Sequence, residues 1–268
     1  MRIRSLKAVC FSPTGASRAV LGAVARGLGR SGAEPLDLTR PEARREALSL
    51  GRDDLLVIAV PVYVGRVPAL AREWLRTLTL DHTPAVCVVV YGNRAFEDAL
   101  LELCDLVRER GGAPVAGAAF IGEHSFSTPA TPIAVARPDA ADLALGEDFG
   151  RRALAVAEAL SVDSPAVLAV PGNRPYRESA GALSEPFVAA GEGCVACGTC
   201  AAVCPTEAID PAAGYATDMA RCIHCCACIK ACPEGARAMV SPAMRAVSER
   251  LSQACAARRE PEFFLPGE

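Results

Sequence analysis

The sequence predicts an α/β domain with a parallel sheet, followed by a smaller cysteine-rich domain. Short apolar runs alternate with amphipathic segments over residues 1–162, which is the pattern of repeated strand–helix–strand units. Nine of the 13 cysteines lie between Cys194 and Cys232, so the composition changes abruptly in the last third of the chain. At about 150 residues per domain, a chain of 268 residues is long enough for one ordinary domain and a small one.

The first domain is expected to be a doubly wound sheet of five parallel strands in the order 2-1-3-4-5. Its predicted strands are the apolar runs Leu6–Phe11, Leu36–Leu38, Leu55–Val60, Val86–Tyr91 and Val115–Ile121. Its predicted helices are the amphipathic segments Arg18–Leu28, Ala69–Leu78, Glu97–Arg110 and Asp142–Leu160. Sheets of this kind bind ligands in the loops that follow the carboxyl ends of their strands.

The remaining chain is expected to contain a connector, the small domain and a last helix. Residues 163–189 include four prolines, which cannot continue a helix, and are predicted to connect the two domains. Residues 190–240 form the cysteine-rich domain. In residues 241–268 the pair Ser241-Pro242 is a typical helix start, and apolar residues then recur at helical spacing. This helix is expected to pack one face on a domain, with Phe263–Leu265 as an anchor for the tail.

Composition and charge exclude several classes of protein. A hydrophobic fraction of 51% excludes wholesale disorder, and a net charge of −3 provides no basic field for nucleic acid. The longest apolar stretch, Leu55–Gly65, is far shorter than the roughly 20 residues that span a bilayer. No signal peptide is apparent at the N-terminus, so a cytoplasmic protein is expected, in which clustered cysteines bind metals more often than they form disulfides.

The cysteine-rich domain contains two copies of the pattern C-x2-C-x2-C-x3-C-P, offset by 28 residues. Three cysteines spaced by three residues can ligate one 4Fe-4S cluster, and the fourth cysteine of each copy ligates the other cluster. This rule predicts two metal sites of four cysteines each. The first set is Cys194, Cys197, Cys200 and Cys232, and the second set is Cys222, Cys225, Cys228 and Cys204.

Over residues 190–240 the chain resembles the bacterial two-cluster ferredoxins, which implies two 4Fe-4S clusters. A pair of zinc sites is the alternative, because zinc also uses cysteines two residues apart. Cys226 lies outside the repeat and is expected to be a buried neighbour of a cluster, with a ligand role as the alternative. The thiolates would make this domain acidic, so a redox partner protein with a basic patch is expected.

The loop after the first predicted strand reads Ser12-Pro13-Thr14-Gly15-Ala16-Ser17 and precedes a helix. Hydroxyl groups, a glycine and the N-terminus of a helix can together bind a phosphate group. A solvated turn at the helix start is the alternative. No lysine of the Walker type is present, which argues against a nucleoside triphosphate. The third and fourth predicted strands end in two further loops, Pro61–Pro68 and Tyr91–Arg94, at the same edge of the sheet.

These three loops resemble those of flavodoxin, which implies bound FMN in the first domain. The resemblance implies phosphate contacts from Ser12, Thr14, Gly15, Ala16 and Ser17. It places the isoalloxazine ring between residues Pro61, Val62, Tyr63, Gly65, Arg66, Tyr91, Gly92, Asn93 and Arg94. Tyr63 is the candidate to stack on the ring, with ordinary packing as the alternative.

Several polar residues are candidates to tune the cofactors. Arg66 or Arg94 near the ring would stabilise the anionic reduced flavin and raise its potential, and a solvated surface charge is the alternative for each. His124, after the fifth predicted strand, is a candidate for a proton donor, with a structural role as the alternative. His224 could donate a hydrogen bond to cluster sulfur.

The order of the two domains resembles the fused flavodoxin–ferredoxin proteins of anaerobes called EFR1-family ferredoxins. The resemblance implies electron transfer between the two clusters, FMN and redox partner proteins. A terminal FMN-dependent reductase of a small acceptor, such as a quinone or nitro compound, is a second hypothesis. A ferredoxin with a flavin-free docking domain is a third.

Overall fold

The computed structural model describes residues 3–29, 34–159, 168–178 and 186–267. Its strands are β1 Ser5–Cys10, β2 Leu36–Asp37, β3 Ser49–Leu50, β4 Asp54–Pro61, β5 Thr79–Leu80, β6 Pro84–Tyr91, β7 Ala113–Ile121, β8 Val188–Ala190, β9 Ile209–Asp210, β10 Ala216–Thr217, β11 Arg237–Met239 and β12 Glu262–Phe264. Its α-helices are α1 Ala16–Gly27, α2 Ala69–Leu75, α3 Ala99–Glu109, α4 Ala140–Ala159, α5 Thr199–Ala202, α6 Ala227–Lys230 and α7 Pro242–Ala254. Among these residues no helix is long and apolar enough to cross a membrane.

The main sheet has six strands in the order β12-β7-β6-β4-β1-β2. Five of these strands, β7, β6, β4, β1 and β2, are parallel, which confirms the predicted α/β class with a mostly parallel sheet. The prediction of a five-stranded sheet was wrong, because the tail adds β12 antiparallel to β7, with Phe263 opposite Ala118. A three-residue edge strand is too short to show the alternation that identifies a strand in a sequence.

Helices cover both faces of the sheet. The central strands β4 and β6 are buried along almost their whole length, as expected for a parallel strand with helices on both sides. On one face α1 crosses α4 at two glycines, because a Cβ on Gly150 would lie 2.3 Å from the carbonyl oxygen of Val24 and one on Gly27 would meet the backbone of α4. On the other face α2 and α3 bury their apolar sides, including Trp74, against the sheet.

The described part of the predicted connector is packed on the first domain. The backbone N–H groups of Asn173 and Arg177 donate to the carboxylate of Asp98 at 2.8 and 2.6 Å. The side chains of Arg174 and Tyr176 bond the carboxylate of Asp105 on α3. Residues 168–178 therefore follow the surface of α3. The predicted domain end at residue 162 and the connector residues 163–167 and 179–185 lie outside the described residues.

Residues 186–240 form a small domain of paired short strands and single helical turns. β8 pairs with β11, and β9 pairs with β10, both antiparallel. The helical turns α5 and α6 occupy equivalent positions in the two cysteine copies. Helix α7 then begins where the sequence predicted, because the hydroxyl group of Ser241 accepts from the N–H of Met244 at 3.2 Å and Pro242 occupies the first helical position.

Candidate cofactor sites

A cavity of about 470 Å³ lies at the carboxyl edge of the parallel sheet. Its volume falls in the range of about 300–1,000 Å³ that is typical of small-molecule sites. The loops after β1, β4, β6 and β7 form its walls, and the small domain and α7 close the remaining side. The phosphate loop after β1 and the two predicted ring loops, after β4 and β6, therefore meet at one cavity.

The phosphate loop forms one end of this cavity through Ser12, Thr14, Ala16 and Ser17. Gly15 has a left-handed backbone conformation, with φ of 91°, and is the N-cap of α1. The hydroxyl group of Ser12 accepts from the N–H of Arg18 at 3.0 Å, which fixes the turn. The first-turn N–H groups of a helix have no intrahelical acceptor, and here no acidic side chain occupies the first turn. The loop therefore presents N–H groups and hydroxyls that can bind an anion.

The loop after β4 reaches the cavity through a tight turn. Tyr63 and Arg66 exchange two backbone hydrogen bonds, and the central residues Val64 and Gly65 have φ of 54° and 78°. Positive φ at both central residues is the type I′ geometry, which a glycine favours. Burial raises the pKa of the Tyr63 hydroxyl well above its usual value, and the thiol of Cys225 acts in the same direction. Tyr63 thus lies between the cavity and the second cysteine set.

The loops after β6 and β7 pack directly against each other. A Cβ on Gly92 would lie 2.2 Å from the ring of His124, so only glycine permits this contact. The Nδ1 atom of His124 accepts from the N–H of Phe126 at 3.0 Å, which leaves Nε2 to carry the proton. Burial, assisted by the charges of Arg94 and Lys230, lowers the pKa of His124 to about 4. His124 is therefore a neutral hydrogen-bond donor at pH 7 and a poor source of a proton.

Two of the sequence-predicted ring residues do not line the cavity. Arg66 instead forms a bidentate ion pair with the buried carboxylate of Glu102, at 2.8 and 2.7 Å. The side-chain amide of Asn93 donates to the carbonyl oxygens of Cys255 and Ala257, at 2.7 and 2.8 Å. The predicted role of Arg66 in tuning the ring is therefore corrected to a structural one. The geometry of Asn93 likewise serves to hold the C-terminal segment.

The other predicted ring residues do line the cavity: Pro61, Val62, Tyr63, Gly65, Tyr91, Gly92 and Arg94. Arg94 is ion-paired with Glu97 at 2.5 Å, and Glu97 also pairs with Arg177, which lines the cavity as well. The positive charge of Arg94 is therefore partly compensated. Its predicted influence on a ring is weaker than that of a free guanidinium.

Sequence reasoning missed the side of the cavity that the C-terminal half provides. This side consists of Ile223, His224, Met244, Val247 and Leu251. The apolar stripe of α7 was expected to pack on a domain, and the sequence signal for its position was only that helical spacing. The Nε2 atom of His224 is buried without a hydrogen-bond partner in the described structure. An acceptor in the cavity would satisfy it.

The eight repeat cysteines line two separate cavities in the small domain. One cavity is lined by Cys194, Cys197, Cys200 and Cys232. The other is lined by Cys204, Cys222, Cys225 and Cys228. Each cavity thus takes three cysteines from one copy and the fourth from the other, as the 4Fe-4S pattern requires. Four sulfur ligands around one small space are the donor set of a cubane cluster. Among the described residues no group of three metal-binding side chains has the geometry for a single ion.

The two cysteine sets differ in their exposure. Cys194 and Cys197 of the first set are exposed, and Val195 between them is 63% exposed. In the second set Cys225 is buried, and burial raises its pKa to about 12 and that of Cys228 to about 11. We refer to the two sites as the outer and the inner cysteine site. Without bound iron, the thiols of Cys225 and Cys228 are therefore protonated at pH 7.

Cys226 lines the cavity of the inner site but lies outside both four-cysteine sets by register. It is 2% exposed and occupies a left-handed position before α6, with φ of 58°. Burial raises the pKa of its thiol well above the usual value. Its surroundings, with Phe187 and Val188 in the same apolar cluster, fit a packed neighbour of the inner site.

The two domains are held together by polar contacts around the inner site. The ammonium group of Lys230 on α6 bonds the carboxylate of Glu123 at 2.5 Å and the carbonyl oxygen of Ser127 at 2.8 Å. The guanidinium of Arg44 donates to the carbonyl oxygen of Pro205 at 2.7 Å. Pro205 directly follows Cys204, one of the inner-site cysteines. The first domain is thus bonded next to both a loop and a helix that carry inner-site cysteines.

Residues 192–210 match the family model of a 4Fe-4S binding domain, Fer4. The match spans the first copy of the cysteine repeat and supports an iron–sulfur protein. No curated protein matches the chain.

Solved flavodoxins resemble part of the chain. A flavodoxin from the domain Archaea is 10% identical, with 58% of this chain and 99% of that chain covered and a TM-score of 0.38. A flavodoxin of Streptococcus pneumonia TIGR4 is 16% identical, with 57% and 98% covered and a TM-score of 0.37. A flavodoxin, WrbA-like protein from Agrobacterium tumefaciens is 14% identical, with 57% and 97% covered and a TM-score of 0.35. These likenesses are low.

Proposed function

We propose that this protein transfers electrons between two 4Fe-4S clusters, a bound FMN and redox partner proteins. One observation supports this most directly. The loop that contains three inner-site cysteines also supplies Ile223 and His224 to the wall of the cavity at the sheet edge. A cluster at the inner site and a flavin in that cavity would therefore be neighbours within one chain. The domain order also supports placing the chain with the EFR1-family ferredoxins.

The exposure of the two cysteine sites supports an order for the relay. The outer site meets solvent at Cys194 and Cys197, whereas the inner-site cysteines are half-buried or, for Cys225, buried. A partner protein can therefore approach the outer site more closely than the inner one. Electrons would then pass from a partner through the outer and inner clusters to the flavin, or in the reverse direction.

The cavity provides suitable groups for FMN at both ends. The phosphate loop would bind the phosphate group through N–H groups and the hydroxyls of Ser12, Thr14 and Ser17. Tyr63 and Met244 would contact the ring, and His124 would donate a hydrogen bond from Nε2. FMN accepts one or two electrons, whereas each cluster accepts one at a time. The apolar side chains of α7 would keep water from the ring.

The surface around the outer site supports a basic partner. Glu192, Asp210, Asp218 and Glu234 are exposed in residues 186–240. Arg221 is paired with Glu207, and Lys230 is paired with Glu123 of the first domain. The exposed charge of residues 186–240 is therefore negative, before the charge of any cluster is added. A partner with a basic rim around its own redox centre would associate with this surface faster at low salt.

Cofactor analysis of anaerobically purified protein tests this proposal. We expect about eight iron and eight acid-labile sulfide per chain, with about one FMN released on denaturation. Two magnetically coupled cluster signals should appear in the EPR spectrum after reduction. Protein that contains clusters but neither retains FMN nor binds it on reconstitution would instead support the docking-domain hypothesis. Protein that takes up zinc and no iron would refute the proposal.

A further inference from the structure

Arg237 on β11 is a buried cation in the wall between the two cysteine sites. It is 3% exposed, whereas the other cations of residues 186–240, Arg221 and Lys230, are exposed. No carboxylate among the described residues lies within ion-pair distance of Arg237. A buried charge without a partner is strongly destabilising, so a negative charge beside this arginine would stabilise the small domain.

The contacts of the guanidinium connect the two sites. One terminal nitrogen, Nη1, donates to the carbonyl oxygen of Tyr215 at 2.8 Å and lies 3.9 Å from the Sγ atom of the outer-site ligand Cys200. The other, Nη2, donates to the hydroxyl group of Thr217, which lines the inner cavity. The Nε atom is buried and has no hydrogen-bond partner in the described structure.

The guanidinium of Arg237 lies against both sets of cysteines. On the inner side, its hydrogen bond to Thr217 places it against the wall of the inner cavity. In the outer site the guanidinium forms part of the cavity wall beside Cys200. A cluster ligated by four thiolates is anionic and becomes one unit more negative with each added electron. Cluster sulfur is thus the acceptor and the counter-charge that Arg237 lacks.

We propose that Arg237 is the shared counterion of the two clusters and raises the reduction potential of both by stabilising their reduced forms. This inference rests on the proposed two-cluster function. The electron comes from the donor protein. A cation between the clusters also reduces the repulsion between two reduced clusters, which keeps both sites accessible to the same donor.

Potentiometric titration with EPR detection tests the inference. The neutral variants are Arg237→Met, which retains apolar volume, and Arg237→Gln, which retains a donor. Arg221→Met is the matched control, because it removes the same charge from an exposed, ion-paired position. We expect both cluster midpoints to fall by at least tenfold in the one-electron equilibrium constant, about 59 mV, in the neutral variants. In Arg221→Met the one-electron equilibrium constant of each cluster should change by less than twofold.

The outcomes separate this inference from the proposed function. Natural protein without two clusters refutes the function itself, and potentials are compared only after its iron and sulfide content is established. If the neutral variants contain both clusters and the one-electron equilibrium constants of both stay within twofold of those of the natural protein, the proposed role of Arg237 is overturned. If the neutral variants assemble no clusters but Arg237→Lys does, the requirement for positive charge supports the counterion. If Arg237→Met, Arg237→Gln and Arg237→Lys all fail to assemble clusters, Arg237 has a steric role and the inference is overturned.

Discussion

Replacement of Glu102 by glutamine tests the corrected role of Arg66. The carboxylate of Glu102 is 2% exposed and accepts from Arg66, from Arg72 and from the backbone N–H of Val67. Arg66 in turn donates to the carbonyl oxygen of Arg177 at 2.6 Å. The pair therefore holds the turn after β4, helix α3 and the segment 168–178 together. Glutamine preserves the shape of the side chain but leaves the guanidinium of Arg66 without its counter-charge.

The expected cost follows from the burial of the pair. Removal of one partner of a buried ion pair costs about 3–5 kcal/mol, and the slight exposure of Arg66 favours the lower end, about 3 kcal/mol. For a domain of this size, about 2–4 °C in Tm corresponds to each kcal/mol. We therefore expect the Tm of the first domain to fall by about 6–12 °C.

The single tryptophan permits this measurement in the presence of the small domain. Trp74 is buried on α2, and its indole N–H donates to the carbonyl oxygen of Glu46 at 3.0 Å. Its fluorescence during thermal unfolding reports the first domain alone. Asp148→Asn is the control, because it breaks the exposed pair with Arg151, which contributes at most about 1 kcal/mol. Equal melting temperatures for Glu102→Gln and this control would refute the structural role of the pair.

Three further predictions concern the cavity. Gly15→Ala should weaken FMN binding at least tenfold in a fluorescence titration, because alanine disfavours the positive φ that the phosphate loop requires. Gly29→Ala is the control: Gly29 also has a positive φ and open space around it, but it lies beyond the other end of α1, and its replacement should leave the Kd for FMN unchanged. Val247→Asp should raise the Kd for FMN at least tenfold, because it places a carboxylate in the cavity wall. Ala246→Asp on the exposed side of α7 should not change the Kd. Equal effects of the two substitutions would contradict the placement of α7 in the cavity wall. Burial lowers the pKa of His124 to about 4 in the folded chain, below its value of about 6.5 in the unfolded chain. Between these two pH values only the unfolded chain binds a proton at His124. The stability of the first domain should therefore fall as the pH decreases from about 6.5 to 4. A His124→Gln variant with the same pH dependence would assign the loss to another group.

The sequence predicted those features that depend on local pattern. The strand β6 is a run of apolar residues because both of its faces are covered, and its position followed from that run. The two cysteine sets followed from spacing, since cluster geometry restricts which cysteines can share a site. Long-range partners were not predictable. Arg66 looks like a ring contact by its place in the loop, and only the fold shows Glu102, 36 residues later, as its partner.

The same limitation applied to the tail and to α7. An apolar stripe indicates that one face of a helix is buried, but it does not identify the surface on which that face packs. Asn93 was assigned to the ring because it follows β6, yet its amide bonds the backbone of residues 255 and 257. A side chain that bonds backbone 162 residues away leaves no signal in a single sequence. These residues were missed because their contacts depend on how the two halves of the chain meet.

The way in which the halves meet determines whether the chain can conduct electrons without a domain motion. A swinging small domain would need few contacts near the cavity. Instead, Lys230 and Arg44 bond the two domains on either side of the inner site. The hydroxyl of Ser248 on α7 donates to the carbonyl oxygen of Phe126 at 2.9 Å. The contacts that complete the cavity are thus the same contacts that fix the inner site beside it. We therefore expect intramolecular transfer between the inner cluster and the flavin to be independent of solvent viscosity, and a rate that falls with added glycerol would indicate a moving domain instead.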